Sequence, residues 1–101
     1  MATNDSPKAE LASLRAEVDE IDQQIMLLLG VRFRCTDMIG ELKTNHGMDL
    51  VDPKREAQQV ERIRRLALEA GVPPDLAETI LREVIDTVID NHTRLRERPY
   101  S

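Results

Sequence analysis

The chain has 101 residues, 41% of them apolar and 33% charged, which fits one small helical globular domain and excludes both a disordered chain and a multidomain one. Its 14 basic and 19 acidic residues give a net charge of −5, which argues against a general nucleic-acid-binding surface but leaves room for a small cationic pocket. The single cysteine, Cys35, permits no intrachain disulfide, residues 1–10 lack an apolar secretory core, and no run approaches the roughly 20 apolar residues of a membrane span, so a cytoplasmic location is expected.

The first helix is predicted to begin near Ser6-Pro7, with Ser6 as cap and Pro7 in the first turn. Apolar residues then recur at Leu11, Leu14, Val18, Ile21, Ile25 and Leu28, and the same spacing continues through Arg32, Cys35, Ile39 and Leu42. TNHG at 44–47 reads as the stop, with Gly47 the terminator. A helix of about 36 residues would be about 54 Å long. A compact domain of this size has a radius of gyration near 13 Å, roughly a quarter of that length. No monomeric globule of this chain covers such a stripe, so a second copy of the chain is expected to do so.

The second helix starts at VDPKRE, with Asp52 as N-cap and Pro53 at the first helical position. Ala57, Val60, Ile63 (or Arg64) and Ala67 make its inner face, and Gly71 ends it. The third follows Pro73-Pro74-Asp75, carries the stripe Ala77, Ile80, Leu81, Val84, Ile85, Val88, Ile89, His92 and Leu95, and closes at Pro99. No alternating strand pattern or repeat occurs. The expected architecture is all-α: three helices per chain, the first very long, in an intertwined homodimer. The folded domain is assigned to residues 10–97, between an N-terminal segment, 1–9, expected to be flexible, and a C-terminal tail, 98–101.

Polar residues on these stripes are the candidate site. Arg32 interrupts an apolar seam. An isolated seam arginine is more often a snorkelling residue or a structural ion pair, but its planar fork also grips a carboxylate in a dry pocket. Lys43 follows after close to three turns, about 16 Å along the helix and on the same side. A lysine there also simply favours the helix C-terminus. Arg15 lies about 42 Å from Lys43 along one helix, so the two can serve one site only from different chains. Taken alone, Arg15 reads as a solvated flank residue. Asp52, Arg55 and Glu56 form a mixed-charge first turn in which a bound anion would offset the unfavourable placement of Arg55 against the helix dipole. His92 sits on the apolar face of the third helix, where a histidine is more often structural than ligand-binding. No Cys/His set has metal spacing, and no Ser-His-Asp arrangement or phosphate-cradling glycine loop is present, so neither metal nor cofactor is expected.

The segments LASLRAEVDEIDQQIMLLLGVR, IGELK, VDPKRE and EVIDTVIDNH, in this order and spacing, resemble the all-helical class of chorismate mutase over residues 10 to 95. The resemblance implies an intertwined dimer with two active sites that convert chorismate to prephenate, toward phenylalanine and tyrosine. It implies that Arg15 reaches a substrate carboxylate from the partner chain, and that Arg32 and Arg55 bind carboxylates within one chain. Lys43 would contact the ether oxygen and a carboxylate, and Asp52 and Glu56 would lie near the substrate hydroxyl. Val88 stands where the family pattern has a serine, and His92 where it has a glutamine that donates to the ether oxygen. Histidine can donate there, whereas valine cannot. Lys43, His92 and Arg32 are the expected catalytic set. Relatives on this scaffold act on isochorismate as pyruvate lyases or on 4-amino-4-deoxychorismate, and these remain alternatives, as does a helical dimerisation or adaptor module without chemistry. The expected partners are a dicarboxylate substrate, a second copy of the chain and, where a small free-standing mutase depends on one, a larger shikimate-pathway enzyme. Neither nucleic acid nor membrane is expected.

Overall fold

Short-range chemistry sets the helix ends. The computed structural model of the chain describes residues 6–97; the expected closure at Pro99 lies outside them. Among the described residues there are three helices, α1 (Pro7–Asn45), α2 (Pro53–Ala70) and α3 (Pro74–Glu97), and no strand. At the start of α1 the Ala9 N–H donates to Ser6 Oγ at 3.5 Å. At its end the Met48 N–H donates to Lys43 O at 2.8 Å and the Gly47 N–H to Thr44 O at 3.4 Å. This closure requires a left-handed residue, and Gly47 supplies it at φ 63°. The same pattern ends α2: Gly71 takes φ 76°, and the Gly71 and Val72 N–H groups donate to Leu68 O and Ala67 O. Asp52 caps α2 as expected, its Oδ1 accepting from the Arg55 N–H at 3.1 Å.

The chain divides into two units, Met1–Cys35 and Thr36–Ser101, and α1 runs through the division. In the described part of the first unit the chain is helix alone. Its apolar stripe is open: Leu11, Leu14, Val18, Ile21, Ile25 and Leu28 are 46–69% exposed.

The second unit holds the end of α1 with α2 and α3. A three-residue link makes α2 and α3 a helical hairpin. Ala67 of α2 and Leu81 and Ile85 of α3 are its buried apolar residues. The inner face of α2 differs from the expectation at one end: Ala67 is buried and Val60 and Ile63 half-buried, but Ala57 is exposed. Periodicity groups residues on one face without saying how far a neighbour extends along it. Ile63 and Arg64, which the spacing leaves as alternatives for one position, are both half-buried. Arg64 uses its place to tie the hairpin, its Nη1 lying 2.9 Å from both Asp75 Oδ1 and Glu78 Oε1. On α3, Ile80 and Leu95 are about half exposed, while His92 is 7% exposed.

Candidate active site

Lys43, Asp52, Arg55, Glu56, Val88 and His92 all belong to the second unit; Arg15 and Arg32 belong to the first. Within the first, Arg15 is exposed and Arg32 half-buried. The half-burial of Arg32 beside exposed Leu28 and half-buried Leu29 fits a guanidinium rising through an apolar seam.

In the second unit the last turns of α1 and the segment that follows them hold the lysine. Lys43 is half-buried, and its Nζ donates to Leu50 O at 3.4 Å. Its own carbonyl accepts the Met48 N–H. Head and backbone of Lys43 are thus both engaged by the segment between α1 and α2. That segment ends in Asp52, whose Oδ1 caps α2. Arg55 is exposed and Glu56 half-buried in the first turn of α2. The positive end of the helix dipole and the Arg55 guanidinium act in the same sense there, as an anion site requires.

His92 is buried against the end of α1. Its Nε2 has no hydrogen-bond partner among the described residues and lies 3.8 Å from Asp37 Oδ1. A buried nitrogen left this way costs about 1–3 kcal/mol, which a ligand group hydrogen-bonded to it would offset. The ring has room only because residue 40 is glycine. A Cβ there would fall 2.5 Å from Cε1, 2.6 Å from Nε2 and 2.7 Å from Nδ1 of His92. Val88, one turn earlier on α3, is half-buried.

Three contributors are absent from the sequence-derived set. Gly40 and Asp37 frame His92, and Arg96 donates to Thr44 Oγ1 at 2.9 Å and to Met48 O at 2.7 Å. A glycine in the interior of a long helix was the visible signal for the first, since it costs roughly 1 kcal/mol unless something needs the space. Nothing in the local pattern marks Asp37 or Arg96. Away from these residues, Asp75, Arg64, Glu78 and Arg82 form a surface ion-pair cluster. The hydrogen bonds that Arg64 donates to Asp75 and then Glu78 raise the Arg64 pKa, and those that Glu78 accepts from Arg82 and then Arg64 hold its carboxyl below its ordinary range. No group of His, Cys, Asp and Glu among the described residues could hold a metal ion, and no helix is long and apolar enough to cross a membrane.

A family model described as chorismate mutase type II matches residues 14–93. The chain is similar to the T-protein of Enterobacter agglomerans, 39% identical over 77 residues, which are 76% of this chain and 21% of that protein. It is similar to a chorismate mutase of Methanocaldococcus jannaschii, 30% identical over 90% of this chain and 87% of the relative. It is also similar to a 4-amino-4-deoxychorismate mutase of Streptomyces pristinaespiralis, 31% identical over 86% of this chain and 64% of the relative. The chain spans only 19–25% of the length of the first curated relatives it matches.

Proposed function

The chain belongs to the chorismate mutase type II family, and we propose that it converts chorismate to prephenate as an intertwined homodimer. The observation that carries this is the family match over residues 14–93, which contains every proposed site position from Arg15 through His92. The reaction is an intramolecular Claisen rearrangement: the ether C–O bond breaks as a C–C bond forms, and no proton need leave the substrate. The protein therefore has two tasks. It holds a flexible dianion in its compact reactive conformer, and it stabilises the negative charge that grows on the ether oxygen.

Arg15 of the partner chain, Arg32 and Arg55 perform the first task by pairing with the two carboxylates. Asp52 and Glu56 accept from the substrate hydroxyl. Lys43 and His92 perform the second task as donors to the ether oxygen. The buried nitrogen of His92, without a partner among the described residues, and the half-burial of Lys43 support this, because a donor kept out of water stabilises developing charge more strongly. Removing one such donor commonly costs about 3–4 kcal/mol, or 10²–10³ in rate. Val88 offers no donor to the carboxylate side, which leaves the carboxylates to the arginines and Lys43.

The open stripe of the first unit supports the dimer. Six aliphatic residues at helical spacing stand roughly half exposed, and burying one fully is worth about 1.5–3 kcal/mol. The buried apolar residues of the second unit, Ala67, Leu81 and Ile85, are few against a conformational entropy cost of about 1–2 kcal/mol per residue. A second copy laid on the stripe supplies the missing burial and brings a second Arg15.

Product identification with chorismate, isochorismate and 4-amino-4-deoxychorismate side by side tests the proposal. Prephenate from chorismate without added metal or nucleotide is expected. Salicylate plus pyruvate from isochorismate would reassign the chain to a lyase, turnover restricted to the 4-amino analogue would reassign it to the aminochorismate branch, and no turnover by folded protein would leave a helical dimerisation module.

A further inference from the structure

Two arginines sit in the last turn of α3, and they behave differently. Arg94 stays on its own helix, its Nη2 2.9 Å from Asp90 Oδ2 one turn back. Arg96 leaves its helix. Its Nε donates to Thr44 Oγ1 at 2.9 Å and its Nη2 to Met48 O at 2.7 Å, across 52 and 48 residues of sequence.

These two acceptors flank one structural device. Thr44 is in the last turn of α1, and Met48 is the residue whose N–H closes that turn on Lys43 O. Between them Gly47 takes its left-handed φ of 63°. Arg96 therefore fastens both halves of the reversal at once, the helix side through a hydroxyl and the returning side through a carbonyl. Two residues beyond Met48, Leu50 O accepts from Lys43 Nζ. The reversal thus fixes the lysine at two points, its backbone through Met48 and its head through Leu50.

We infer that Arg96 is a positioning residue for Lys43: the bidentate clamp on Thr44 and Met48 holds the α1–α2 segment in the shape that aims the ammonium. This rests on the reading of Lys43 as the ether-oxygen donor. Arg96 is not itself placed to touch substrate; it acts through the segment it fastens. Only a forked cation serves here, because the Nε and Nη2 donors leave one rigid plane toward two acceptors, whereas a lysine offers a single point of charge. Its charge also suits the negative end of α1.

The test is steady-state turnover of chorismate by Arg96→Ala, Arg96→Lys and Thr44→Val, with amide hydrogen exchange at Met48 measured on the same samples. The expected result for Arg96→Ala is a fall in kcat of about 10- to 100-fold with KM changed little, since misplacement of a transition-state donor by about 1 Å has that order of effect. Arg96→Lys and Thr44→Val, which each retain one contact, should fall between it and wild type. Exchange at Met48 should quicken in the same order. In a Lys43→Ala background the Arg96→Ala effect on kcat should largely vanish, because the group it positions is gone. Wild-type kcat in folded Arg96→Ala, or the same fold-loss with and without Lys43, would overturn the inference. A wild-type chain that leaves chorismate unchanged would instead defeat the mutase reading, and unaltered Met48 exchange in Arg96→Ala would then still refute the clamp.

Discussion

Gly40→Ala should reverse its sign depending on what residue 92 is. In an ordinary helix interior the change gains roughly 1 kcal/mol, because glycine surrenders more backbone freedom than alanine. Here the new methyl would stand 2.5–2.7 Å from three atoms of the His92 ring, where carbon contacts settle at about 3.5–4.0 Å. The ring must therefore retreat by about 1 Å. It is 7% exposed and packed between helices, so α3 or the end of α1 moves with it. Overpacking of this kind typically costs about 1–3 kcal/mol. Set against the helical gain, Gly40→Ala in the wild-type background should be neutral to destabilising by about 2 kcal/mol, the latter worth about 8–16 °C in melting temperature for a domain this small. In a His92→Ala background the obstruction is gone, and the same substitution should stabilise by about 1 kcal/mol. Urea denaturation of the four proteins at one fixed protein concentration measures the coupling, which should be about 1–3 kcal/mol. Equal effects in the two backgrounds would refute the packing argument, as would stabilisation by Gly40→Ala when His92 is present.

Arg32→Ala should lower kcat/KM at least 10²-fold while the protein keeps its circular dichroism spectrum and oligomeric state; unchanged kinetics would make Arg32 a packing residue. Ile21→Asp places a carboxylate in the middle of the open stripe, and sedimentation should show a shift toward monomer together with lost activity, because in the proposed dimer Arg15 comes from the other chain. A persistent dimer of full activity would remove the stripe from the interface. The Glu78 carboxyl is held below its ordinary range by Arg82 and Arg64, so its charged form contributes to stability above its unfolded pKa, and that contribution is lost as pH falls through the depressed folded value. The difference in melting temperature between wild type and Glu78→Gln should therefore shrink in acid below the usual carboxylate range, and a difference that stays constant there would show that the cluster contributes nothing through charge.

Local chemistry made the helix ends legible in the sequence. Ser6, Gly47, Asp52 and Gly71 act on backbone groups two to five residues away, and the hydrogen bonds of the structure fall on them as expected. The α3 stripe was equally readable in Leu81, Ile85 and His92, because a helical period fixes which residues share a face. The candidate site was legible chiefly as a resemblance. Periodicity alone made Arg32 and His92 anomalous without giving either a role.

A period does not say what meets the face it defines, and this is where sequence stopped. Ala57 lies on the α2 stripe yet remains exposed, because how far a neighbouring helix reaches is a property of the packed pair. Gly40 read as a small helical cost until the His92 ring, 52 residues on, was found in the space its missing Cβ leaves. Arg96 read as one of two terminal cations until its fork was found on Thr44 and Met48. The sequence determined the three helices, their caps and the apolar faces, since each is a matter of neighbours along the chain. Only the tertiary structure decided which residues frame His92 and which arginine fastens the segment after Lys43. Those contacts join groups about fifty residues apart, and such pairs become neighbours only when the helices pack.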